Sequence, residues 1–90
     1  MQDLTHLREQ IDQIDSELIE LIAQRMGISR EVAEYKKQVN EPIYDPHREE
    51  AMFAKLTSTG KELGLPPMVV KAIWQEIITQ SRRLQQQAMK

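Results

Sequence analysis

Leu18-Ile19-Glu20-Leu21-Ile22-Ala23-Gln24-Arg25-Met26-Gly27-Ile28-Ser29-Arg30-Glu31-Val32 is the stretch that decides the fold, and Arg25 is its pivot. On either side of it, large apolar residues recur in steps of three and four. Leu4, Leu7, Ile11, Ile14, Leu18 and Leu21 come before; Ile28, Val32, Tyr35 and Val39 come after. The rhythm requires one more core residue between Leu21 and Ile28, and the residue there is Arg25. A guanidinium in an apolar seam is costly unless it is paired or meets an anion. Lys36 follows eleven residues later, about 20° away around an ideal helix, so both cations share a face. Two inward-facing cations point to a pocket for an anionic small molecule.

The same periodicity predicts one very long N-terminal helix, from about residue 4 to residue 39, with Asp3 or Thr5 as its N-cap. No proline interrupts it before Pro42. Gly27 weakens it by about 1 kcal/mol relative to alanine without breaking it. Such a helix is roughly 54 Å long, more than a compact domain of this size is wide. Its seam outruns the rest of the chain, so a partner chain is expected to cover it. Asn40 to Tyr44 read as a connector. Asp45-Pro46 then opens a second helix as N-cap and first helical residue. Its apolar stripe is Met52, Phe53 and Leu56, and Glu49 lies on that stripe. Gly60 and Gly64 bracket its exit. Pro66-Pro67 starts a third helix expected to bury Val70, Ile73, Trp74, Ile77 and Ile78, with Ser81 and Gln85 continuing the line. The terminal run from Arg82 to Gln87 is expected to be mostly solvated. The fold class is all-α: three helices per chain, one very long and two shorter, with a partner chain expected along the long helix.

Bulk properties remove several function classes. Ninety residues form a single domain, 1–90. Twelve basic against fourteen acidic side chains leave a net charge of -2, without the basic excess that tracks a phosphate backbone. The absence of cysteine removes disulfides, thiolate zinc sites and thiol catalysis. His6 and His47 have no partner at metal-ligand spacing, so surface roles and no metal site are expected. The N-terminus has no basic start or long apolar run, and no stretch reaches the length of a membrane span. A cytoplasmic protein is the expectation, and Met1 together with the end at Lys90 reads as a free-standing chain.

Each polar residue on an apolar stripe also has a purely structural explanation. Arg25 can fix coiled-coil register as an interhelical ion pair, and Lys36 can snorkel out of a bundle. Glu49 can pair with Arg48 or Lys55, or favour the start of its helix. Ser81 and Gln85 can satisfy each other. Arg8, beside Leu7, ordinarily counts as a surface residue. Because these exceptions are spread over all three helices, one shared polar cavity accounts for them better than several unrelated contacts. Arg8 and Arg25 are seventeen residues apart, roughly 25 Å along one rigid helix. They cannot meet one small ligand within a chain; if Arg8 serves the site, it does so across an antiparallel dimer.

The ordered set Leu7-Arg8-x-x-Ile11-Asp12-x-Ile14-Asp15, Arg25, Lys36, Pro42-Ile43-x-Asp45-Pro46-x-Arg48-Glu49 and Ile77-Ile78-x-x-Ser81-x-x-x-Gln85 resembles the all-helical AroQ class of chorismate mutases over nearly the whole chain. The resemblance implies an isomerase that converts chorismate to prephenate in aromatic amino-acid biosynthesis, without a cofactor. It also implies an intertwined homodimer in which each site borrows an arginine from the other subunit. By this resemblance Arg25 and the partner's Arg8 hold the two carboxylates, with Ser81 contributing. Lys36 and Gln85 donate to the ether oxygen of the breaking bond. Glu49 accepts from the ring hydroxyl, with the Asp45 backbone nearby, and Arg48 lies beside the ligand. Met26 and Tyr44 stand where some relatives carry arginine. Two alternatives remain. One is isochorismate-pyruvate lyase, a branch that lacks acids matching Asp45 and Glu49. The other is a regulatory or dimerisation module of a larger shikimate-pathway enzyme.

Overall fold

A computed structural model describes residues 3–89; Met1, Gln2 and Lys90 lie outside the described residues, and with them both chain ends. Three α-helices follow one another, α1 (Leu4–Val39), α2 (Pro46–Glu62) and α3 (Pro67–Ala88), with no strand among the described residues. The all-α reading with one very long and two shorter helices is borne out.

The boundaries arise from local chemistry. The Asp3 carboxylate accepts from the His6 backbone N–H at 2.9 Å and caps the first turn of α1. The far end stops at Asn40, which adopts a left-handed conformation at φ 58°. The next N–H, that of Glu41, turns back to the Lys36 carbonyl at 2.8 Å. Lys36 and Lys37 in that last turn oppose the negative end of the helix dipole. Asp45 caps α2 through the Arg48 N–H at 3.1 Å, with Pro46 at the first helical position. Gly64, at φ +84°, lets α2 end tightly, and the Leu65 N–H returns to the Gly60 carbonyl at 2.7 Å.

α3 packs against both α1 and α2, whose backbones do not approach each other closely among the described residues and which meet through the Arg25 and Met52 side chains. The stripe of α1 that meets α3 runs Arg25, Ser29, Ala33 and Lys36. Ser29 and Ala33 are buried, and both cations are half-buried. Short side chains there, together with buried Ser81 on α3, let the two helices approach closely. Val70 and Ile78 complete the small apolar core. Trp74 and Ile77 are half-buried, but Ile73 is 48% exposed, contrary to the sequence expectation, because no second layer covers its face of α3.

The heptad seam of α1 remains open. Leu4, Leu7, Ile11, Ile14, Leu18 and Leu21 are each more than 40% exposed, and Ile28 and Val32 are uncovered as well. The chain extends 56 Å along its longest axis, close to the length of α1 alone.

Gly60 lies buried on α2 directly against Val70 of α3. A Cβ built there would lie 2.6 Å from Val70 Cγ2, and that β-branched, buried side chain has little room to move. Gly60→Ala is therefore expected to destabilise the fold by about 1–3 kcal/mol despite the better helix propensity of alanine. A urea titration followed by circular dichroism measures this as a lower midpoint.

Candidate active site

A cavity of about 260 Å³ opens where α1, the connector and the facing ends of α2 and α3 converge. α1 contributes Arg25 and Lys36, and the connector contributes Ile43 and Asp45. α2 brings Arg48 and Glu49, and α3 brings Ser81, Arg82 and Gln85. Ile28, Val32, Met52 and Ile78 supply apolar walls. Seven of the eight residues expected from the sequence thus line one space. The eighth, Arg8, is exposed on the N-terminal part of α1 and does not line it.

The side chains are already oriented. Arg25 Nη1 donates to Ser81 Oγ at 2.9 Å, and its Nη2 approaches Met52 Sδ at 3.5 Å. The Ser81 hydroxyl in turn donates to Met26 Sδ at 3.5 Å. Lys36 Nζ donates to the Ile43 carbonyl at 2.9 Å, which pins its ammonium between α1 and the connector. Neither cation has a carboxylate within ion-pair distance among the described residues. Burial, and secondarily the nearby charge of Arg48, lowers the Arg25 guanidinium below its ordinary value. The guanidinium stays charged, so its half-buried position is one that a bound anion stabilises.

Glu49 pairs with neither Arg48 nor Lys55. It pairs with Arg82, whose Nη2 sits 2.8 Å from Oε1 and 2.6 Å from Oε2. This corrects the reading of the Arg82 run as solvated: Arg82 is half-buried and faces the cavity. Its register carried the signal, since Arg82 is four residues beyond Ile78 and three before Gln85, on the same side of α3.

Four cations and two carboxylates line the cavity, an excess of positive charge suited to a small dianion. No group of three or more potential metal ligands occurs among the described residues. No helix among them is long and apolar enough to cross a membrane. What the fold and the cavity define is an all-helical domain with a cation-rich cavity set between its three helices.

The chain belongs to the chorismate mutase type II family, whose profile matches residues 7–86, and it carries the isomerase domain that defines that family. It is similar to chorismate mutase of Methanocaldococcus jannaschii, with 33% identity over 97% of this chain and 88% of that protein. It is also similar to the T-protein of Enterobacter agglomerans, with 37% identity over 88% of this chain but only 21% of that protein. A bifunctional chorismate mutase/prephenate dehydratase of Aquifex aeolicus is 34% identical over 88% of this chain and 23% of its own length. The chain thus spans about a fifth of the T-protein and of the bifunctional relative, and most of the archaeal one.

Proposed function

We propose that this chain converts chorismate to prephenate by an intramolecular [3,3] rearrangement, acting in the cytoplasm as an intertwined homodimer. The observation that carries this reading is the convergence of Arg25, Lys36, Glu49, Ser81 and Gln85 from three helices on one cation-rich cavity. The reaction breaks one C–O bond and forms one C–C bond within a single molecule. It needs no nucleophile, proton shuttle, metal or cofactor. The protein holds the chair-like conformer, a matter of proximity and orientation, and stabilises the negative charge that grows on the ether oxygen.

Each role follows from chemistry the cavity offers. Arg25, braced by Ser81, receives one carboxylate, and Arg8 of the partner subunit the other. Lys36 and the neutral amide of Gln85 donate to the ether oxygen as preorganised donors. Glu49 accepts from the ring hydroxyl beside the Asp45 backbone, and Arg48 flanks the ligand. Two features support the dimer. The open seam of α1 is a larger apolar face than a soluble monomer ordinarily leaves uncovered. A second hollow of about 480 Å³ also shares Arg25, Arg48 and Met52 with the first and adds Leu56 and Trp74, a flank suited to a partner helix. A dianionic substrate does not cross a bilayer unaided, which fits action where the substrate is made.

Incubation of the purified chain with chorismate, and separately with isochorismate, tests this reading by product identification. Prephenate from chorismate and no pyruvate from either substrate is the expected result. Pyruvate release from isochorismate as the main activity assigns the chain to the lyase reaction instead. No consumption of either overturns the catalytic reading in favour of a regulatory module.

A further inference from the structure

Arg82 has no part in the scheme above, yet it makes the only ion pair among the described residues, and that pair lies in the cavity wall. A single nitrogen, Nη2, bridges both oxygens of Glu49. The guanidinium carbon stands 4.8 Å from the centre of the Tyr44 ring, so the aromatic face holds it from the other side. Its Nε is buried without a hydrogen-bond partner. A surface ion pair formed by chance would leave that nitrogen in water. Here the arginine is held on its carboxylate at the cost of an unsatisfied donor. Tyr44, Arg82 and Glu49 thus form a chain that joins the connector, α3 and α2 across one edge of the cavity.

The pairing has two consequences for Glu49. It fixes the orientation of a side chain with three rotatable bonds, and it cancels the carboxylate's charge. A carboxylate offers about four lone-pair directions; Arg82 takes one on each oxygen, so acceptor capacity toward the cavity remains. A bare carboxylate there would favour a cationic group over a neutral donor. One neutralised by a fixed guanidinium accepts a hydrogen bond from a hydroxyl but repels an ammonium through the same arginine.

We infer that Arg82, held by Tyr44, is a positioning and specificity-determining residue that sets the Glu49 subsite for a neutral hydroxyl rather than an ammonium on the substrate ring. This rests on the proposed reading in which Glu49 receives the ring hydroxyl of chorismate.

The test compares kcat/KM at neutral pH for chorismate and for 4-amino-4-deoxychorismate, which carries an ammonium in place of that hydroxyl. Wild-type protein favours chorismate. Arg82→Met, which keeps the length and apolar stem without the charge, shifts the ratio toward the amino substrate by at least about tenfold. Arg82→Gln shifts it in the same direction and serves if the methionine variant folds poorly. Arg82→Lys keeps the charge and holds the ratio within about threefold of wild type. A merely structural role lowers both activities together, so an unchanged ratio in Arg82→Met and Arg82→Gln overturns the inference while leaving chorismate turnover by the wild type intact. Wild-type protein that does not turn over chorismate overturns the underlying reading and the inference with it.

Discussion

Lys36→Ala lowers kcat/KM for chorismate by about two to three orders of magnitude, a barrier increase of roughly 3–4 kcal/mol. Lys36 shares the inner stripe of α1 with Arg25, and the Ile43 carbonyl fixes its ammonium at 2.9 Å, so no reorganisation is needed when charge develops on the ether oxygen. Alanine removes both the positive charge and the donor from a half-buried position where water screens poorly. The loss falls mainly on kcat, because the interaction strengthens in the transition state. Circular dichroism and sedimentation should remain as in wild type, since Lys36 makes no ion pair among the described residues that holds the fold together. Near-normal turnover by a folded Lys36→Ala protein would remove Lys36 from the reaction.

Arg8→Ala and Arg25→Ala are each expected to lose at least about a hundredfold in kcat/KM. For Arg25 this is unsurprising, since it sits in the cavity wall against Ser81. For Arg8 the prediction is sharper. Within one chain it is exposed and stands roughly 25 Å along α1 from Arg25. An exposed arginine with no other duty changes stability by less than about 0.5 kcal/mol when replaced and leaves kinetics alone. A large loss of activity without loss of fold therefore means that Arg8 works somewhere other than in its own chain's pocket.

Much of this architecture was legible in the sequence because it rests on strong local signals. Asp3, Asp45-Pro46, Pro67 and Gly64 set helix ends through capping, fixed φ and left-handed conformation, and the helices begin and end at those residues. Polar residues on apolar stripes marked the cavity, because inward-facing charge in a seam demands a ligand or a partner. What the pattern obscured was which face of α1 the chain itself covers. Large residues define the heptad seam, but α3 packs on Ser29 and Ala33, whose small size permits the contact and gives no strong hydrophobic period. Arg82 was hidden for a related reason. Among Arg83 and the glutamines it reads as part of a solvated tail, and only its register relative to Ile78 and Gln85 aims it into the cavity. Its bond to Glu49 spans 33 residues of sequence, a contact no local pattern encodes.

The most direct test of the central claim, a cavity completed by a second copy of the chain, is subunit mixing. Arg8→Ala and Arg25→Ala chains are unfolded together in equal amounts and refolded, with light scattering to confirm dimers. In a mixed two-fold dimer one site carries both defects and the other carries neither. Random pairing then restores about a quarter of the wild-type sites, so the mixture gains activity that neither parent has. A mixture of proven mixed dimers that stays as inactive as its parents would contradict the shared site and return Arg8 to the surface.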